Sequence, residues 1–214
     1  MSYTQDVVME QNLKNDTIVS VWGQNLKHFA HVYIRMDFFA GLGDKGTGWK
    51  FGSSAIDIGV RYKRKFTNFY SVGCDFNMLS SQRYNLKQDL LSLKLNGSTL
   101  DEFKSERMYF TGLGIEFFNR FNYGKRGNAI GRFIDIGAYG NFAYYVVHYV
   151  ADDISGEPFG FTEIYQRKLK YTERFYFCVS GRIGFNRWVI DARYRLNNLF
   201  KDEPLGILPE LPRL

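Results

Sequence analysis

The sequence predicts an all-β protein, an antiparallel up-and-down transmembrane β-barrel expected to have eight strands. Three observations predict it. Between His31 and Gly43 every second residue is apolar: Val32, Ile34, Met36, Phe38, Ala40 and Leu42 share one face, and Tyr33, Arg35, Asp37 and Gly41 the other. This period of two is that of a strand, and it recurs in seven long segments of the chain. The connections between those segments alternate between short and long, which is how outer-membrane barrels separate periplasmic turns from outer loops. A chain of 214 residues suits one such domain.

Residues 1–26 form a polar N-terminal extension with one short β-like stretch, Thr17–Trp22, and residues 27–214 form the barrel. The first strand is expected over His28–Leu42, followed by the glycine-rich loop Gly43–Phe51. The second, Ser53–Arg64, sets Ile56, Ile58, Val60 and Tyr62 against Asp57, Gly59, Arg61 and Lys63. A tight turn at Lys65–Asn68 leads to the third, Phe69–Tyr84, which opposes Tyr70, Val72, Cys74, Phe76 and Met78 to Ser71, Gly73, Asp75 and Asn77. After the long polar loop Asn85–Glu106 the fourth strand, Arg107–Arg120, places Tyr109, Leu113, Ile115 and Phe117 opposite Phe110, Gly112, Gly114 and Glu116.

A turn at Asn122–Ala129 precedes the fifth strand, Gly131–Val150. Its apolar face is Ile134, Ile136, Ala138, Phe142, Tyr144 and Val146, and its other face Asp135, Gly137, Tyr139, Asn141 and Tyr145. The loop Ala151–Gln166 follows, then the sixth strand, Lys170–Phe185, with Phe175, Phe177, Val179 and Ile183 against Arg174, Tyr176, Ser180 and Arg182. A two-residue turn, Asn186–Arg187, gives the seventh, Trp188–Leu199, with Ile190, Ala192 and Tyr194 opposed to Asp191, Arg193 and Arg195.

Alternation alone does not say which face points inward, because a soluble calyx has its apolar residues inside. Glycine decides. Gly59, Gly73, Gly112, Gly114, Gly137 and Gly184 all share the polar face, with Gly140 and Gly181 as exceptions. A narrow barrel is crowded on its concave side, whereas glycine on a solvated convex face would only weaken the strand. The polar face is therefore the lumen. It would hold a charge network of Arg35, Asp37, Asp57, Arg61, Asp75, Glu116, Asp135, Arg182, Asp191, Arg193 and Arg195, with Lys63, Arg120 and Arg174 beside it. Charges taken out of water must be paired, and near-balance of sign favours a filled lumen over a conducting one.

The lipid-facing wall would be Ile34, Met36, Ile58, Val60, Val72, Phe76, Leu113, Ile115, Ile134, Ile136, Phe177, Val179 and Ile190. Aromatic residues collect near strand ends, as expected at two membrane interfaces. Tyr62, Phe66, Phe69, Tyr70, Phe117, Phe121 and Trp188 lie at the short turns, and Tyr84, Tyr109, Tyr144 and Tyr194 toward the long loops. A mean hydropathy of −0.30 is compatible with this, because alternation hides the apolar residues. No run of about 18 apolar residues offers a helical span.

Several other classes find little support. Cys74 and Cys178 fall on opposite faces, so a disulfide between them is excluded by parity. The net charge of +6 comes from basic residues interleaved with acidic ones, which does not make a nucleic-acid surface. His28, His31 and His148 are too scattered for a metal site. His28 and His148 are expected on the apolar face near strand ends, and His31 inside. No nucleophile is placed beside a base, so no catalytic residue, metal or cofactor is expected.

Seven strands is an uncomfortable count, since single-chain bacterial barrels have even numbers. Phe200–Leu214 is proline-rich and suits a fourth outer loop, so the eighth strand is expected beyond Leu214, with Thr17–Trp22 as the other candidate. The absence of a visible signal peptide is expected for a mature exported chain.

The pieces His31-Val32-Tyr33, Ser54 through Lys65, Tyr84-Asn85-Leu86-Lys87-Gln88, Asn119-Arg120, Gly124 through Asn128 and Ala192 through Leu196 with Leu199-Phe200-Lys201 carry a resemblance. They resemble the small PorT-like outer-membrane β-barrel proteins of Bacteroidota. The resemblance implies an outer-membrane location, long loops outside and short turns periplasmic, no known catalytic residues, and a last strand following Leu-Pro-Arg-Leu. It also makes Thr17, in Asp16-Thr17-Ile18, a candidate for that phylum's O-glycosylation. The expected function is that of a structural or accessory subunit of a larger outer-membrane assembly, with lipid and other outer-membrane proteins as partners. A small pore or solute-binding barrel is the alternative.

Overall fold

Successive side chains of a strand point to opposite faces, so an alternating segment separates its two sets only as part of a sheet. The computed structural model describes residues 20–39, 53–86, 105–123, 131–153, 161–185 and 188–201. They contain β1 (His28–Phe38), β2 (Ser54–Lys65), β3 (Tyr70–Leu86), β4 (Ser105–Tyr123), β5 (Arg132–Asp153), β6 (Phe161–Arg167), β7 (Phe175–Phe185) and β8 (Trp188–Arg195), and no helix. All neighbours are antiparallel, in the order β1-β2-β3-β4-β5-β7-β8, with β6 paired to β5 off this path. The sheet curls on itself. Arg35 of β1 and Asp191 of β8 stand at opposite ends of the strand order, yet their side chains meet at 3.2 Å.

The all-β, up-and-down architecture is the one the alternation predicts. Four details differ. β6 lies within the stretch expected to be a loop, where it pairs Val147–Asp153 of β5. Its residues Glu163–Arg167 bury no face completely, so no apolar alternation marked it. β7 starts at Phe175 rather than Lys170, which leaves Arg174 exposed and outside the lumen. β8 stops at Arg195, and Leu199–Lys201 instead bond to Tyr171–Glu173.

The fourth difference is one of parity. β3 shifts register at Met78–Leu79 and β5 at Tyr144, each an irregularity of the β-bulge kind. An extra residue swaps the two faces of everything beyond it. Tyr84, expected in the outer aromatic belt, is therefore buried inside, and so are Val146 and His148. Tyr145, expected inside, is exposed. Uninterrupted counting of every second residue cannot see such a shift.

Glycine marks the concave side as expected. A Cβ added at Gly59 would lie 2.5 Å from the Phe76 carbonyl oxygen, and one at Gly73 would lie 2.3 Å from Phe118 Cζ. At Gly181, on the convex face, it would meet nothing within 4 Å. Cys74 is half-buried on the outer face and Cys178 is buried inside, and both are free thiols.

Among the described residues no strand joins β1 to β8. Of the stretch Thr17–Trp22, residues 17–19 lie outside the described residues. Trp22 makes a parallel bridge with His28 at the foot of β1 rather than a ladder with β8. The turn after it lies across the base: Lys63 Nζ donates to the Gln24 carbonyl at 2.6 Å, and Lys65 Nζ to that of Asn25 at 3.1 Å. Of the loops expected at 43–51, 85–106 and 122–129, residues 43–51, 87–104 and 124–129 fall outside the described residues, as does the segment 202–214.

Candidate functional site

The polar faces of seven strands converge on one buried ion network. Arg182, on β7, stands at its centre. Its guanidinium donates to Asp191 at 2.9 Å, Asp135 at 3.0 Å and Glu116 at 3.1 Å, and lies 3.5 Å from Asp75. Arg35, on β1, donates to Asp57 at 2.5 Å and Asp191 at 3.2 Å, and stands 3.4 Å from Asp37. Arg193, on β8, reaches Asp57 at 3.0 Å and Glu116 at 3.2 Å, and its guanidinium lies 4.0 Å from the centre of the Tyr139 ring. Two two-pronged pairs complete the lower layer, Arg61 with Asp75 and Arg120 with Asp135. Such forks suit the planar guanidinium.

Ten of the eleven residues expected in this network therefore meet there. Asp37 sits at its edge, with 28% of its side chain exposed. Arg195 points away from the centre and donates to the Tyr84 hydroxyl at 3.1 Å and the Asn197 carbonyl at 3.0 Å. All thirteen residues expected on the outer wall face outward. Ile58, Val60 and Val72 are half-buried and the other ten exposed.

Above the ions the interior changes character. Asn141 Nδ2 donates to the Tyr139 hydroxyl at 2.7 Å, and Asn77 links Asp57 to that same hydroxyl and accepts from Tyr33. Higher still is an apolar cluster of Tyr84, Leu86, Met108, Phe110, Ala143, Val146, Tyr176, Leu199 and Phe200. Sequence reading set Phe110 and Tyr176 on the inward face but missed Tyr84, Leu86 and Val146, which the two bulges rotate inward. At its top His148 Nε2 lies 2.6 Å from Glu106 Oε1, and Tyr171 lies 3.2 Å from His148 Nδ1. Burial, and after it the Glu106 carboxylate, push the Tyr171 hydroxyl above its ordinary range.

A cavity of about 290 Å³ lies between the ion layer and the aromatic layer, against Met36, Asp37, Tyr84, Tyr176, Asp191 and Arg193 among others. Every carboxylate below it is held by at least one guanidinium. Among the described residues no three His, Cys, Asp or Glu side chains are placed to hold a metal ion. The chemistry on offer is electrostatic: a fixed set of paired charges that ties seven strands together from inside.

Comparison with protein-family models, curated proteins and solved structures finds no match.

Proposed function

We propose that this protein is a non-enzymatic integral outer-membrane β-barrel that serves as a structural or accessory subunit of a larger outer-membrane assembly for secretion, biogenesis or transport. One observation carries the reading, the inversion of the two faces. Ile34 is 68% exposed on the convex side while Asp75 is 0% exposed on the concave side. Water would not tolerate a convex wall of Ile, Val, Leu and Phe over this extent, whereas lipid requires one. The two sets of connections support an orientation with long loops extracellular and short turns periplasmic. The resemblance to PorT-like barrels of Bacteroidota belongs to this proposal. The cross-linked ion layer favours a subunit over a conduit, since a conducting pore keeps a continuous polar path.

The test is fractionation followed by alkaline extraction of membranes. The protein is expected in the outer-membrane fraction and resistant to extraction. Recovery from the periplasm as a soluble monomer without detergent would refute the reading. The cavity beneath the aromatic layer is the observation that favours the second reading, a solute-binding barrel or small pore. Steady single-channel openings in planar bilayers would promote it.

A further inference from the structure

Between β6 and β7 the chain crosses a step in the wall. β7 pairs Phe133–Phe142 of β5 and β6 pairs Val147–Asp153, so Ala143–Val146, the stretch that carries the bulge, is laddered to neither. Residues 168–174 run past that stretch. The Ala143 amide donates to the Arg174 carbonyl at 2.7 Å, and the Thr172 hydroxyl donates to the Leu169 carbonyl at 3.2 Å. Lys168 opens the crossing with φ +58°, the one left-handed non-glycine backbone among the described residues. Glycine or asparagine would sit there with less strain than lysine.

The crossing leaves a pocket of about 300 Å³, lined by Tyr144, Tyr145, Arg167, Lys168, Leu169 and Arg174 among others. Both tyrosines are exposed on the outer wall, and Tyr144 belongs to the aromatic belt expected at the membrane interface toward the long loops. The Arg167 guanidinium lies 5.6 Å from the centre of the Tyr145 ring. Glu173, the sole acidic residue of 167–174, stands 3.8 Å from Lys201 and outside this pocket. The pocket thus gathers three cations, and no carboxylate lines it.

Below the pocket the outer wall is grooved. On β5, Gly140 pairs with Ile115 of β4 on one side and Phe177 of β7 on the other, and Ala138 pairs with Phe117 and Val179. The four flanking side chains are 45–60% exposed. They form two ridges about 10 Å apart, two ladder spacings, over a floor of glycine and alanine. A Cβ added at Gly140 would meet only the Phe177 ring, at 3.5 Å. Three cations suit a phosphate monoester, which carries about two negative charges at neutral pH, and guanidinium groups match phosphate oxygens. We propose that pocket and groove together bind one lipid with a phosphate-monoester headgroup. Its phosphate sits among Arg167, Lys168 and Arg174, and an acyl chain lies over Gly140 and Ala138. The inference rests on the membrane reading above and names the lipid that this part of the wall selects.

The test titrates the 214-residue protein in detergent micelles with phosphatidic acid, phosphatidylglycerol or phosphatidylcholine and counts bound lipid by native mass spectrometry. One phosphatidic acid is expected to bind, about tenfold tighter than either other lipid. Lys168→Gly with Arg174→Gln should weaken it about thirtyfold without lowering the melting temperature, since glycine relieves the backbone at Lys168. Arg167→Gln, which leaves that backbone untouched, should weaken it about fivefold. Arg64→Gln with Arg132→Gln, an equal loss of charge at the short turns, should change nothing. Gly140→Leu, which fills the groove, should also weaken binding. Equal binding of the three lipids, or equal loss in the two double variants, would overturn the site. Displacement by inorganic phosphate with no effect of Gly140→Leu would make it a free-phosphate site and overturn the lipid. Insertion of the same protein into phosphatidylcholine vesicles, resistant to alkaline extraction, would leave the membrane reading standing in those cases; failure to insert would overturn both.

Discussion

Gly59 and Gly181 both interrupt strands, on opposite sides of the same wall, and their neighbours predict opposite outcomes. Gly59→Leu drives its Cβ against the Phe76 carbonyl and the Asn77 and Tyr33 side chains, and should destabilise by about 1–3 kcal/mol through overpacking. Gly181→Ala meets nothing and should be near neutral. Urea unfolding in lipid vesicles reads both. Arg182→Met removes the one cation that touches Asp75, Glu116, Asp135 and Asp191. It should destabilise strongly or abolish folding, because four buried carboxylates lose a counter-charge they share, although each keeps one other arginine contact. On the β5–β6 hairpin, above the barrel wall, Glu163 accepts from Tyr149 at 2.7 Å and Tyr165 at 2.9 Å. These bonds hold the Glu163 carboxyl below its ordinary range and push Tyr149 up to about 12. The stabilising effect of a depressed carboxyl is present above the ordinary glutamate range and is lost as pH falls through the lowered value. Absorbance titration should place Tyr149 near 12, and Glu163→Gln should return it toward the ordinary tyrosine value.

Elements differ in how plainly the sequence declares them. β2, β4 and the hairpin of β7 and β8 keep one parity from end to end, and their lumen and wall residues could be assigned by counting. β3 and β5 change parity part-way, so the same counting placed Tyr84, Val146 and His148 on the wrong side. The ion network was legible because nearly all its members lie below the two bulges. The aromatic layer was legible only in part: Phe110 and Tyr176 by counting, but not Tyr84 and Val146, which lie beyond the bulges. β6 left no pattern at all, being a ladder extension with no core to face. The bulge at Tyr144 makes a direct prediction about β5. Val146→Arg should cost roughly 3 kcal/mol or more by burying an unpaired charge, while Tyr145→Arg, near an interface, should cost about 0–1 kcal/mol. Counting without the bulge predicts the reverse, and equilibrium unfolding of the two variants decides between them.

At the scale of the molecule, one inversion links the sequence to the proposed setting. Charges that would solvate a soluble protein are gathered inside and paired across the lumen, and the apolar residues that would fill a core form the outer wall. The ion layer, with the Gly23–Leu26 turn across the base and the aromatic cluster above, fills the interior with the chain's own side chains. The closest test of this inversion is tryptophan quenching by brominated lipid in vesicles. Trp22, Trp49 and Trp188 are first replaced by phenylalanine, and single tryptophans are then introduced by Ile34→Trp, Ile115→Trp and Phe177→Trp on the wall and by Phe118→Trp, Tyr139→Trp and Tyr176→Trp inside. Strong quenching of the first three and weak quenching of the last three is the predicted result; equal quenching of both sets, or none of either in folded protein, would contradict it.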